Sequence, residues 1–262
     1  MKKIKMTFYN KVDEKLKPYI RHYFVTYGDL DENEKMQLLP MDHYDIIVPV
    51  EGKLSYVLHG HKMPLDSALV HGLRHKNITL EQSGFVRAWG ISFTPWGFYA
   101  FYGAHMSKLT DKILKLSDCI PELNTVIDNV NGFEMNQVID ALEDYLTENI
   151  PEKFDYNLIE AFIDGDLNVG DFCIKHGIQR RSFERRFLKI IGVSPKDFKG
   201  IRQFEIASRA LLYDEQRLSE IALYSDYYDQ AHFTKNFKKY ASYTPKAFVK
   251  EKPALKSKID FD

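Results

Sequence analysis

The sequence predicts an α+β protein of two domains: a β-rich barrel with flanking helices in front, and an all-α double helix-turn-helix behind. Three observations carry this reading. Short runs rich in aromatic and β-branched residues, broken by Gly, Pro, Asp and Asn, fill 19–93, and helical spacing takes over after Pro95. The stretch SFERRFLKIIGVSPKDF at 182–198 returns as HFTKNFKKYASYTPKAF at 232–248, at a constant offset of fifty positions. A net charge of −1 conceals 17 basic against 24 acidic residues in 1–165, and 16 against 10 in 166–250.

A chain of 262 residues can bury two separate cores. The expected division is a β-rich domain over 1–150, a helical domain over 151–250 and a tail over 251–262. Strands are expected at 19–27, 44–50, 54–59, 68–73 and 85–93. In the last, Phe85, Arg87, Trp89, Ile91 and Phe93 alternate with Val86, Ala88, Gly90 and Ser92, so one face is bulky and the other small. Several strands at short spacing favour a barrel or sandwich over a parallel sheet. Residues 97–106 begin a helical region, and 134–148 form an amphipathic helix whose apolar stripe either packs on the barrel or pairs two copies.

Arg87 invites a functional reading, because an arginine among bulky apolar neighbours must reach solvent or find a partner. In a hollow barrel it would bind an anionic ligand group, with Trp89 stacked beside it; an internal salt bridge or an exposed position are the alternatives. His59-Gly60-His61, with Asp66, resembles the first metal motif of the cupins only loosely, since the spacing is off and no later strand supplies a second motif. No metal, cofactor or catalytic residue is assigned. Cys119 and Cys173 make neither a zinc quartet nor a disulfide framework, which suits reduced thiols in the cytoplasm. The basic start has no apolar run behind it, and no stretch has the length of a membrane span.

Asn149-Ile150-Pro151 marks the boundary, and 154–163 give a helix before Gly165. Asn168 is expected to cap the next helix with Asp171 at its third position; 176–178 are the turn, and 179–191 the following helix. Ser194-Pro195 opens a connector through residue 212 with Phe198, Ile201, Phe204, Ala207 and Leu211 as its buried stripe. The second unit runs through 218–222, a turn at 225–227, and a helix capped by Asp229. Phenylalanines four apart, Phe183/Phe187 and Phe233/Phe237, anchor each recognition helix, and the basic residues between them face outward. Concentrated positive charge favours a polyanionic partner, although a charge run alone also marks a solvated face.

Residues 155–250 resemble the DNA-binding domain of the AraC/XylS family of transcription regulators. The match lies in Arg181-x-Phe183-x-Arg185-x-Phe187, Gly192-Val193-Ser194-Pro195, Ile221-Ala222, Tyr227-x-Asp229-Gln230-x-x-Phe233-x-x-x-Phe237-Lys238 and Thr244-Pro245, in order. The front half resembles, more loosely, the sensory or dimerising barrel of many members. The resemblance implies base contacts by Arg181, Glu184 and Arg185 from the first recognition helix and by Gln230, Ala231 and Lys235 from the second. Phosphate contacts fall to Arg180, Arg186, Lys189, His232, Lys238 and Lys239.

Asp226, Gln179, Cys173 and Ser242 depart from the family pattern, and Ala231 offers a base only a methyl group. The first module is therefore expected to read sequence more strongly than the second. Double-stranded DNA is the implied partner, with a small-molecule effector, a second copy through the front half, and RNA polymerase left open. A cupin-type metal-dependent enzyme with an accessory helical domain, or a helix-turn-helix that binds a protein, are the rival readings.

Overall fold

A computed structural model of the chain describes residues 4–58, 60–213, 220–221, 229–256 and 259–261. The front half is one eight-stranded sheet, built from β1 (Ile4–Tyr9), β2 (Ile20–Leu38), β3 (Asp45–Leu58), β4 (His61–Pro64), β5 (Leu69–His71), β6 (Ile78–Phe93), β7 (Ile113–Lys115) and β8 (Ile259–Phe261). The order is β7-β5-β3-β6-β2-β1-β8, with β4 on β3; every pairing is antiparallel except β1 with β8. This path is not closed by hydrogen bonds among the described residues. One face of the sheet nevertheless wraps a shared interior, where side chains of β1, β2, β3, β5 and β6 meet around a cavity.

Two strands expected at 44–50 and 54–59 are a single strand, β3. Pro49 and Gly52, read as breakers, are absorbed as register shifts against β6. Gly52 has φ +93°, and a Cβ there would lie 2.3 Å from the Phe85 carbonyl oxygen, so the position is a glycine bulge rather than a turn. In the same way β2 and β6 extend well past 19–27 and 85–93 as a long irregular antiparallel pair. Strand β1, whose basic residues obscure its alternation, and the helix Pro121–Val130 are not among the expected elements.

The alternation in β6 separates two cores. Val86 and Ala88 face the interior with Ile4, Leu54, Tyr56 and Leu80. Trp89, Ile91 and Phe93 face the other way, into a larger core with Tyr23, Ile46 and Val48. Gly90 sits where β6 must pass close to its neighbours: a Cβ would lie 2.4 Å from the Ile46 oxygen and 2.5 Å from the Phe24 ring. The larger core is covered by α1 (Gly97–Tyr102), α2 (Pro121–Val130) and α3 (Met135–Glu148). Val138, Ile139, Leu142 and Leu146 of α3 are buried in it, so within this chain the α3 stripe packs on the sheet.

The helical half follows as α4 (Asn157–Asp164), α5 (Val169–Lys175), α6 (Arg180–Ile191), α7 (Pro195–Tyr213), α8 (Gln230–Ala241) and α9 (Pro245–Lys256). Its aromatic residues continue the larger core without a break. Phe162 meets Phe172, Phe183 and Phe187 edge-on at 5.2 to 5.5 Å, and Phe237 sits between Phe204 and Phe248 at 4.9 and 5.2 Å. The expected stripe of α7 is buried along its whole length. The helix and turn expected at 218–222 and 225–227, including Asp226, lie outside the described residues apart from 220–221; Ile221 is buried.

Candidate nucleic-acid interface

Both recognition helices are built the same way. Position for position, the ten residues 181–190 and 231–240 share one pattern of burial, with Phe183, Phe187 and Ile190 matched by Phe233, Phe237 and Tyr240. The phenylalanines belong to the fold, and the exposed residues beside them differ between the copies. Arg181 and Arg185 are exposed on α6, where Glu184 shares their side; Gln230, Ala231 and Lys235 are exposed on α8.

Local capping sets each helix. Asn168 accepts from the Asp171 amide at 3.1 Å, which starts α5, and the left-handed Gly177 (φ 60°) makes the turn into α6. Gln179, at the head of α6, makes no capping bond, whereas Asp229 accepts from the His232 amide at 2.6 Å at the head of α8. Ser194 caps α7, its Oγ accepting from the Asp197 amide at 3.1 Å and donating to the Asp197 carboxylate at 2.6 Å. The nineteen residues of α7 rise about 28 Å between the two units.

The residues expected at phosphates are in varied settings. Arg180 Nε donates to Glu184 at 2.8 Å, so the carboxylate of Glu184 is tied along its own helix. Arg186 donates to the main chain and carboxylate of Asp155, ahead of α4. Lys189 lies 5.9 Å from the Tyr99 ring centroid, and Lys239 stands 3.9 Å from Asp197. His232 and Lys238 are exposed.

The front half grips the ends of both recognition helices through main-chain carbonyls, a feature the sequence did not announce. Tyr44 Oη donates to Ile191 O at 2.8 Å, Thr110 Oγ1 to Gly192 O at 2.8 Å, and Asn77 Nδ2 to Ala241 O at 2.7 Å. These carbonyls lie at the C-termini of α6 and α8, where helices leave acceptors unsatisfied. Gly192 has φ +95°, and a Cβ there would come within 2.6 Å of Tyr44 Oη and 2.7 Å of Thr110 Oγ1. Glycine is therefore needed both for the turn and for the docking. Ser242, its counterpart, adopts φ 64° and is exposed.

An ionic cluster of the front half lies beside α7. Asp42 accepts from Arg21 Nη2 at 3.0 Å and lies 2.9 Å from His43 Nδ1. Burial opposes the Asp42 charge, but the His43 bond and Arg21 outweigh it and hold its pKa well below the usual carboxylate range. Burial also opposes the His43 charge, yet Asp45 and the bond to Asp42 prevail and raise its pKa. Glu205 of α7 comes close enough that Asp42, His43 and Glu205 offer ligand atoms within 4.8 Å of one another. Arg21 already supplies positive charge there. Burial, reinforced by Asp42, raises the Glu205 pKa.

Arg87 and Trp89 do not line the interior cavity. Trp89 is buried in the larger core, with Nε1 3.4 Å from Asn131 Oδ1; Arg87 is half-buried on that same side of β6, and the cavity is on the other. The small face of β6 lines the cavity, through Leu80, Gln82 and Ala88. His61 and Asp66 are exposed, away from the interior where a cupin metal would sit, and His59 lies outside the described residues. Among the described residues no helix is long and apolar enough to cross a membrane.

Comparison with known proteins gives two family matches: residues 172–251 match a helix-turn-helix domain, and 12–115 match a domain of unknown function (DUF6597). The uncharacterized HTH-type transcriptional regulator YbfP of Bacillus subtilis is 32% identical over 92 residues, covering 35% of this chain and 31% of YbfP. An uncharacterized HTH-type transcriptional regulator of Staphylococcus aureus is 25% identical over 150 residues, covering 57% of this chain and 19% of the relative. The chain thus spans a third or less of these relatives' length. Among solved structures, ToxT of Vibrio cholerae aligns over 87% of this chain and 97% of its own, at 11% identity and TM-score 0.49. From its buried aromatic repeat, its caps and the match over 172–251, that stretch of the carboxy-terminal half is a helix-turn-helix domain.

Proposed function

We propose that the chain is a sequence-specific, DNA-binding transcription regulator of the bacterial cytoplasm, with no enzymatic activity of its own. The single observation that carries this is the identical burial of 181–190 and 231–240, which presents two unlike sets of exposed side chains on equivalent helices. Arg181 and Arg185 suit guanine edges, Gln230 suits adenine, Lys235 reaches an acceptor, and Ala231 meets a thymine methyl. Lys189, Lys238, Lys239, Arg180, Arg186 and His232 set affinity and register through phosphates. Glu184, tied to Arg180 in the free protein, either orients that arginine or accepts from cytosine on DNA.

In this reading the front half controls how the two helices are presented. Tyr44, Thr110 and Asn77 hold the carbonyl ends of α6 and α8, so a change in the sheet alters the spacing of both recognition helices at once. A small-molecule effector and pairing of two copies through the front half are ways of driving such a change, and RNA polymerase is the natural partner of the bound regulator. The test is titration of the full chain against promoter DNA and random duplex at several salt concentrations. Specific binding with a steep salt slope supports the proposal, and equal affinity for random duplex refutes it.

A further inference from the structure

The interior of the sheet holds a cavity of about 160 Å³ whose lining is mostly apolar, with Ile4, Phe24, Leu54 and Leu80 on its walls. Three of its lining side chains are polar, buried and incompletely bonded. His71, Arg74 and Gln82 are each no more than 5% exposed. Among the described residues, His71 Nε2, Arg74 Nε and Gln82 Nε2 meet no hydrogen-bond partner. Leaving three such groups unpaired in an apolar interior costs a folded protein stability unless something else meets them.

Their chemistry specifies the occupant. Arg74 Nη2 donates to Leu39 O at 3.1 Å, and Nη1 lies 3.3 Å from His71 Nδ1. A guanidinium only donates, so His71 Nδ1 accepts and its Nε2 carries the proton. Burial and then Arg74 keep this imidazole neutral, with its pKa well below 6.5. All three unpaired atoms are therefore N–H donors, one of them on a cation. Asp45, also lining the cavity, has Oδ1 3.5 Å from His43 Nε2, outside hydrogen-bonding geometry, and is the lining carboxylate among the described residues.

We propose that this cavity binds a compact, mainly apolar monocarboxylate, its carboxylate received by His71, Arg74 and Gln82 and its body by the apolar walls. Charge-assisted bonds from a cation and two neutral donors favour a carboxylate over a hydroxyl. The site also adjoins the grip on the recognition helices. Asp45 follows Tyr44 directly, and Arg74, whose amide donates to Met41 O at 3.3 Å, stands three residues before Asn77. As an effector site, this inference rests on the regulator reading above; as a binding site, it is measured without DNA.

The experiment is calorimetric titration of the full chain with butyrate, hexanoate and phenylacetate, each beside the alcohol of the same skeleton. At least one acid is expected to bind at a single site, with its alcohol about tenfold weaker or more. Gln82→Leu and Arg74→Met are each expected to weaken the acid by a similar factor; Gln82→Leu, which keeps the Arg74 bonds to the main chain, serves if Arg74→Met fails to fold. Equal binding of acid and alcohol, binding indifferent to Gln82→Leu, or no binding by any probe would overturn the proposal. The DNA titration repeated with the bound acid is expected to shift in affinity; binding without such a shift would remove the effector role. Loss of DNA specificity with acid binding intact would count against the regulator reading and leave the site standing.

Discussion

Tyr44, one residue before strand β3, donates a 2.8 Å hydrogen bond to the carbonyl of Ile191, the last residue of the first recognition helix. The bond is buried, and burial pushes the Tyr44 phenol pKa up, so the group stays a donor through the physiological range. Tyr44→Phe is expected to lower stability by about 1 to 3 kcal/mol, because the carbonyl is left without this partner in a dry contact. Gly192→Ala is expected to be worse, since it combines the left-handed backbone with a Cβ crowding Tyr44 Oη. In a double-mutant cycle by chemical denaturation the two changes should be less than additive, because removing the phenolic oxygen relieves one of the Gly192 contacts. Strict additivity would show that the docking is not formed in solution.

The two recognition helices differ in how they begin. Asp229→Ala removes the cap of α8 and should cost about 1 kcal/mol, whereas Gln179→Ser adds a cap that α6 lacks and should gain about half as much. Thermal unfolding of the full chain reads both. Equal effects of the two changes would contradict the capping assignments.

Arg185 and Lys235 are equivalent positions with different chemistry. Arg185→Ala is expected to cost about 1 to 3 kcal/mol of discrimination at one site position, and Lys235→Ala less, because a lysine lacks the bidentate fork. Lys238→Ala should weaken all sequences alike and flatten the salt slope by about one. Competition binding against single-base variants distinguishes these outcomes. A larger loss of discrimination from Lys235→Ala would reverse the ranking of the modules.

His43 is paired with Asp42 beside Glu205 of α7 and its pKa is raised, so the sign of its pH effect follows. Its contribution to stability is complete below its ordinary value of 6.5 and is lost as pH rises through the raised value. Glu205, also raised, acts in the same direction but lower, from its ordinary value of 4.5 upward. Asp42, depressed, contributes above its ordinary value of 3.8 and loses that only in strong acid. The wild-type chain should lose stability relative to His43→Gln between mildly acidic and mildly alkaline pH. Parallel melting curves for the two proteins across that range would contradict the charge state assigned to His43.

Much of the helical half was legible because its determinants are local. The Asn168 and Asp229 caps and the stripe from Phe198 to Leu211 are set by neighbours within a few positions, and the fifty-residue repeat shows one such local pattern twice. The face alternation of β6 was legible for the same reason, but not which face held the cavity. Pairing with β2 and β3 decides that, and it turned Trp89 into core and left Arg87 beside it. Pro49 and Gly52 look like a turn until the long ladder to β6 absorbs them. Tyr44, Asn77 and Thr110 carried no signal, because their partners are main-chain carbonyls 82 to 164 positions away. His71, Arg74 and Gln82 stood out only once the fold buried them together.

The most direct measurement is hydroxyl-radical footprinting of the full chain on a selected duplex, with Arg181→Ala/Arg185→Ala and Gln230→Ala/Lys235→Ala double variants alongside. Two protected segments about one helical turn apart on one face of the duplex are expected, the first lost in one double variant and the second in the other. A single protected segment, or protection that both variants reduce uniformly, would contradict the reading of two unlike recognition helices held at a set spacing.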